Sequence, residues 1–219
     1  MIYLSHTITP DTPTYGNRNK VKLNKKSSIA NGDVANDSFL ETTVHVGTHI
    51  DFPYHFYENG QTIEDYDADF WFFNKPLFVE IEPKSEVVFT ELIEVLEQCQ
   101  QKDCDILIVK TGICHQRHDS IFWEKNYGFD PKLYEYLVAK YPGLRIFGFD
   151  SISVSSILHR DIGREAHRRF LDPSRPVLLL EDMDLTSISS GVHIKSIIVS
   201  PLRIENCDGS PCTVFAELA

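Results

Sequence analysis

Residues 45 to 55 read His45-Val46-Gly47-Thr48-His49-Ile50-Asp51-Phe52-Pro53-Tyr54-His55 and gather three imidazoles and a carboxylate in eleven positions. His45, His49, Asp51 and His55 are ligand types for a borderline divalent cation: zinc first, with manganese or iron also suited. A single histidine beside an apolar strand is more often a hydrogen-bonded core or surface residue. Four such groups at these intervals, around a glycine, read instead as a metal site. A cation held there could activate water for hydrolysis.

The spacing constrains the backbone. His45 and His49 stand four apart, as in helical HExxH sites. Gly47 and Pro53 oppose a helix, and Thr42, Thr43, Val44 and Val46 favour strand. A straight strand would hold His45 and His49 about 13 Å apart, whereas two ligands of one zinc can be only about 4 Å apart. The chain must therefore bend between them, and Gly47 can take the backbone angles a bend requires. The expected arrangement is a strand ending near Val46 and a bend at Gly47. A loop then folds His49 and Asp51 back towards His45, and Pro53 aims His55 into the same space.

The elements that must carry this segment alternate in type. Residues 77 to 82 read as a strand. Residues 90 to 100 have a helical period in Leu92, Val95 and Leu96, with Thr90 as N-cap. Residues 105 to 110 form a buried strand, and Pro131 opens a helix running to about Lys140. Leu144 to Phe149 is another buried strand, ending at Asp150. Residues 164 to 171 read as helix, 176 to 180 as a strand ending at Glu181, and 192 to 199 as a last strand. Strands alternating with helices indicate an α/β domain. Asp150 and Glu181 each follow a buried apolar run, where such folds present ligands. Glu181 is then either a metal ligand or a solvent-facing strand end. By its polar neighbours, His167 reads as a surface helix histidine.

The string from His45 to Phe56 resembles the signature of the metal-dependent cyclase family, which includes bacterial kynurenine formamidases and isatin hydrolases. Further stretches are similar to the same family: Tyr3-Leu4-Ser5-His6, Lys110-Thr111-Gly112, Gly148-Phe149-Asp150-Ser151-Ile152-Ser153, His167, Glu181, and Asp208-Gly209-Ser210-Pro211. The resemblance spans nearly the whole chain. It implies a single domain over residues 1–219 of the swivelling β/β/α type, assembled as a homodimer or larger homo-oligomer. It implies one or two divalent ions per subunit, zinc or else manganese. His45, His49 and Asp51 would hold one ion, and Asp51 would bridge to a second held by His167 and Glu181. His55 would be the catalytic histidine. The implied activity is hydrolysis of an amide C–N bond in a small molecule, of the arylformamidase type (N-formylkynurenine to kynurenine and formate). An isatin-type cyclic amide or a lactone is the alternative.

The chain departs from the family pattern around the pocket. Pro13-Thr14-Tyr15-Gly16-Asn17-Arg18 stands where relatives carry an aromatic-Pro-Gly-Asp turn. No Trp lies in this stretch, and Cys212-Thr213 replaces a small residue and an Arg. These changes leave the ligand residues in place and bear on the substrate.

A non-catalytic metal-binding module is the competing class of function. Structural zinc sites are closed and often Cys-rich. This segment has no Cys and a spare His, which favours an open site. Net charge of −11 argues against a nucleic-acid surface, and Lys20, Lys22, Lys25 and Lys26 read as a solvated loop face. No apolar run approaches membrane-spanning length and no signal-peptide pattern is present, so the expectation is a cytoplasmic protein that does not engage membranes. The five cysteines (99, 104, 114, 207, 212) form no CxxC pair and are expected as reduced thiols. The aromatic run 70 to 73 is expected in core or interface. The loop holding His115 and His118 could cover the pocket.

Overall fold

The run Ile106-Leu107-Ile108-Val109-Lys110 is buried at every position, as a parallel strand covered on both faces must be. It lies inside a nine-stranded sheet of a computed structural model that describes residues 1–219. In chain order the strands are β1 (Ile2–Tyr3), β2 (Lys22–Ser27), β3 (Asp37–Glu41), β4 (His49–Asp51), β5 (Phe72–Phe73), β6 (Pro76–Glu80), β7 (Val87–Val88), β8 (Ile106–Lys110), β9 (Gly128–Phe129), β10 (Ile146–Phe149), β11 (Leu178–Glu181), β12 (Ile194–Pro201) and β13 (Gly209–Leu218). The helices are α1 (Thr90–Gln98), α2 (Ile121–Glu124), α3 (Lys132–Lys140) and α4 (Arg160–Phe170).

The strands β6, β8, β10 and β11 run parallel in that order. Then β4 joins β11 antiparallel, followed by β13, β12 and β5. Strand β1 adds to β13. Because β12 also comes close to β6, the sheet curls into a nearly closed barrel with few helices, a mixed α/β fold as expected. Helices α1 and α3 bury Leu92, Leu96, Leu133 and Leu137 in the same core as the parallel strands. The short strand pairs β2–β3 and β7–β9 stand outside the main sheet.

The structure revises the local reading in several places. No strand covers Val44 to Val46; the bend at Gly47 (φ 58°) comes first and the strand follows it, at His49–Asp51. Thr90 is the first helical residue of α1, and Phe89 stands at the N-cap position without a side-chain capping bond. Helix α4 starts four residues before the expected boundary, at Arg160. The strand expected over 192–199 runs from Ile194 to Pro201.

Most of the aromatic run lies in or against the core, one of its two expected places, while Phe72 is exposed. Trp71 and Phe73 are buried, Phe70 packs against both, and the Arg145 guanidinium sits 4.3 Å from the Phe73 ring centroid. All five cysteines are free thiols. No helix is long and apolar enough to cross a membrane.

Candidate metal centre

Strand β4 is paired on both sides, with β11 and with β13, and this brings the scattered ligand types together. His49 and Asp51 are two apart and so share one face of the sheet. Glu181 is the register partner of His49 and Gly209 that of Asp51. Helix α4 supplies His167 from a buried stripe of Gly163, Ala166, His167 and Phe170, the i, i+3, i+4, i+7 pattern of a core-facing helix. Two glycines permit the close approach. A Cβ on Gly163 would fall 2.5 Å from the Ser155 Cα, and one on Gly209 would fall 2.6 Å from the His45 Cε1.

On the cleft floor, two imidazoles and two carboxylates alternate in a ring. The His49 Nε2 is 3.6 Å from the Asp51 Oδ1 and 3.4 Å from the Glu181 Oε2. The His167 Nε2 is 3.5 Å from the Asp51 Oδ2 and 3.9 Å from the Glu181 Oε1. These edges are too long for N–H···O hydrogen bonds. They are somewhat longer than the roughly 3.3 Å edge of a tetrahedron with metal–ligand bonds near 2.0 Å, and each carboxylate turns a different oxygen to each imidazole. The other ring nitrogens are occupied: the His49 Nδ1 donates to the Gly47 carbonyl at 2.8 Å, and the His167 Nδ1 to the Gly163 carbonyl at 2.9 Å. Such bonds leave each Nε2 lone pair facing the ring and fix the imidazole orientation a ligand needs. Glu181 is oriented in turn by the Val154 amide, 2.7 Å from its Oε1.

Above the ring lies a second, more open group of His45, Asp51 and His55. The His45 Nδ1 is 2.8 Å from the Asp51 Oδ1. Asp208 completes the group: its Oδ2 lies 2.8 Å from the His45 Nε2 and 2.9 Å from the His55 Nδ1. One carboxylate thus holds both rings.

The charges are coupled. Burial opposes a proton on His45, but Asp51 and Asp208 on either side push its pKa up to about 10. His49 and His167 are also raised, because Glu181 and Asp51 outweigh the cost of burial. Burial would raise the Asp51 carboxyl, yet His45 and His167 hold it well below the usual carboxylate range. Hydrogen bonds from His45 and His55 pull Asp208 down likewise. No lysine or arginine pairs with Asp51 or Glu181; their ion-pair partners are histidines. Two buried carboxylates without a fixed cationic partner are costly, and a divalent cation supplies that partner. The donor set present therefore fits the implied metal.

All six residues singled out in the sequence meet here, with a different division from the one the resemblance implies. His49 groups with Glu181 and His167, while His45 groups with His55. Asp51 touches both groups. Asp208 was missed as a site residue. Its only signal was the Asp208-Gly209 pair, since nothing in the spacing joins residue 208 to residue 45. Asp150 has a structural part. It accepts the amides of Thr111 and Gly112 and the Thr111 hydroxyl at 2.8 to 2.9 Å. His115 and His118 do not line the cleft. Their loop buttresses the site instead, through Arg117, whose Nε and Nη2 grip the buried Asp182 beside Glu181 at 2.8 and 2.6 Å.

The cleft over these groups measures about 430 Å³. Its apolar wall includes Tyr15, Phe56 and Ile152, and Phe56 stacks on the His167 ring at 4.6 Å.

Comparison with known proteins places this geometry. Cyclase-like protein 2 of Oryza sativa subsp. japonica is 27% identical over 219 residues, covering 95% of this chain and 75% of the relative. A kynurenine formamidase of Geobacillus thermodenitrificans is 29% identical over 174 residues, covering 78% of this chain and 75% of that protein. Among solved structures, isatin hydrolase A from Labrenzia aggregata bound to benzyl benzoate superposes with a TM-score of 0.78 at 19% identity. That match covers 98% of this chain and 92% of that one, and it shows the shared fold. The Cyclase family model, described as "Putative cyclase", matches residues 2–156, most of the chain and all of β4, and the chain therefore belongs to this family.

Proposed function

We propose that this chain is a metal-dependent hydrolase of an amide C–N bond in a small molecule, of the arylformamidase type. The observation that carries this reading is the alternating ring of His49, Asp51, His167 and Glu181, with a spare histidine, His55, beside it at the mouth of a cleft. Zinc is the first candidate ion and manganese the second. His49, His167, Asp51 and Glu181 would hold one ion. His45 and Asp51 would hold the other. A cation so bound supplies a water of lowered pKa and an electrophile for the carbonyl oxygen.

The chain's own groups account for the proton traffic. His55 gives its Nδ1–H to Asp208, which leaves its Nε2 free to accept a proton. It takes the proton of the attacking water and delivers it to the leaving nitrogen. The negative charge of Asp208 stabilises the imidazolium formed between those steps. The same carboxylate takes the Nε2–H of His45, so Nδ1, 2.8 Å from the Asp51 Oδ1, is the ring nitrogen that would turn to a cation held with Asp51. Phe56, stacked against His167, keeps water off one side of the site. A homodimer or larger assembly belongs to the same reading, and the solution mass measures it.

The second reading is hydrolysis of an isatin-type cyclic amide. It is favoured by the cleft lining, which contains no Trp. The deciding experiment measures metal content after purification without added metal. It then follows N-formylkynurenine and isatin hydrolysis before and after chelation. Chelator-sensitive cleavage of N-formylkynurenine supports the first reading, and cleavage of isatin alone the second. Bound metal with no hydrolysis of any amide would return the protein to the class of metal-binding modules.

A further inference from the structure

One arginine of the chain is buried. Arg117 is 5% exposed and stands in the loop after β8, at the end of the turn Ile113–Gln116. Its guanidinium pairs with Asp182, which is fully buried. The Nε donates to Oδ1 at 2.8 Å and the Nη2 to Oδ2 at 2.6 Å, a bidentate fork that lysine cannot make. The Phe122 ring centroid lies 5.9 Å from the guanidinium carbon. Phe122 packs with Ile113 and Ile152 in a small core separate from the main one. Burying an ion pair is costly and does not by itself stabilise a fold.

The place of Asp182 gives the pair a use. It directly follows Glu181 and has left-handed backbone, φ 50°, which aspartate tolerates at some cost in free energy. Its amide donates to the Ser151 carbonyl at 2.8 Å, and its carbonyl accepts the Thr48 hydroxyl at 2.6 Å. Thr48 directly precedes His49. Strands β11 and β4 are therefore tied one residue away from each of two ligands, where Glu181 is the register partner of His49. Thr48 also lies between His49 and Gly47, whose carbonyl takes the His49 Nδ1–H. A shift of Asp182 would pass through the Thr48 hydroxyl to that imidazole.

Charge points the same way. Unpaired, Asp182 would be a third buried carboxylate near Asp51 and Glu181. Paired with Arg117 it is neutralised, and the ring keeps two negative charges, the number a divalent cation cancels.

We infer that Arg117 is a positioning residue of the metal centre. By gripping Asp182 it fixes the turn after Glu181, and through the Thr48 hydroxyl it fixes the His49 imidazole. It acts through these two residues and bonds to no ligand. The inference rests on the metal-dependent reading for the ion, while the hold on His49 is measurable without one.

Two variants test it. R117M/D182N removes both charges at nearly constant volume, so no lone buried charge remains and asparagine can keep the left-handed turn. R117K keeps the charge and loses the fork. Zinc affinity is measured by chelator competition at a temperature where the melts show every protein folded. A loss of about 10- to 100-fold is expected in R117M/D182N, the usual range for a group that orients a ligand, with R117K between it and the wild type. Equal affinity in all three overturns the inference. In metal-free protein, NMR follows the exchange of two ring protons with water. The His49 Nδ1–H should exchange at least about 10-fold faster in R117M/D182N. The His167 Nδ1–H, held by Gly163 within α4, should not change. No change at His49, or equal acceleration at both rings, overturns the inference, the latter because it reports a general loosening. If wild-type protein binds no zinc, the metal-dependent reading is what fails, and the ring protons alone decide whether Arg117 positions His49. If R117M/D182N does not fold, R117K is judged by the same two measurements.

Discussion

The floor and the rim of the cleft are built on opposite principles. On the floor, His49, Asp51, His167 and Glu181 are all buried, and the two imidazoles and Glu181 are each held by a backbone group. At the rim, Arg18, Arg160 and Arg164 are exposed, on a loop and on the first turns of a helix, with one ion pair among them. A pre-organised, desolvated floor is where charge development is stabilised at no reorganisation cost. A solvated rim of long side chains can select what enters and contributes little to the barrier. Changes to the floor should therefore abolish turnover, and changes to the rim should rescale it between substrates.

Asp51→Asn is the sharpest test of the floor. Asp51 touches both ligand groups, and an amide keeps its shape while losing its charge. Loss of bound metal and a fall in activity of about 10⁴-fold or more are expected. Metal analysis and turnover check both. A variant that keeps its metal and most of its activity would break the division between floor and rim.

One step down in effect, His55→Ala should lower kcat by about 10²- to 10⁴-fold, the usual range for a general base, while metal content stays within error. Loss of metal instead would make His55 a ligand. Asp208→Asn should cost less, about 10- to 100-fold, as expected of a group acting through the residues it orients. The fall should appear in kcat more than KM, and Asp208→Glu should recover part of it. If D208N matches wild type, His55 needs no orienting partner.

The sequence disclosed the floor more fully than the elements beneath it. His45, His49, Asp51 and His55 lie in one segment, and their clustering is visible without a fold. Glu181 could be read two ways, because a carboxylate after Leu178-Leu179-Leu180 suits either a ligand or a strand end. The register of β11 on β4 decides its neighbours. His167 has polar neighbours in sequence, and only the packing of α4 on Ser155 at Gly163 turns it inward. Asp208 depends on a strand pair joining residues about 160 apart along the chain, which no local pattern encodes. The strand expected before Gly47 was misplaced for a related reason. β-Branched residues at 42 to 46 favour extension, but His45 must fold back over Asp51, and the ladder partners are available only from His49 onward.

The floor should also set how stability responds to pH when the metal is stripped. The His45 pKa is raised from an ordinary 6.5 to about 10 by Asp51 and Asp208. Its stabilising contribution is thus fully present below about 6.5 and is lost as pH rises towards 10. Asp51 works in the other direction: its depressed pKa contributes above about 3.9 and is lost in acid. A bound cation replaces the histidine protons as the partner of the carboxylates. The gap in Tm between loaded and stripped protein should therefore widen between pH 6.5 and 10. A constant gap would mean that the buried carboxylates do not depend on His45 for their counter-charge.

The smallest effect expected belongs to the rim. Asp161 has a side chain 95% exposed and pairs with Arg164, itself 57% exposed. Such a pair contributes little to folding, so Asp161→Asn should leave the melt almost unmoved. Removing its charge should change kcat/KM for formanilide, an uncharged amide, by no more than about two- to threefold, the scale of a solvent-exposed, salt-screened charge, and added salt should erase the change. A larger loss that persists in salt would mean that the rim takes part in the chemistry, and would break the comparison. A floor residue changed so conservatively would not show so small a response, because there every partner is buried and none can be replaced by water.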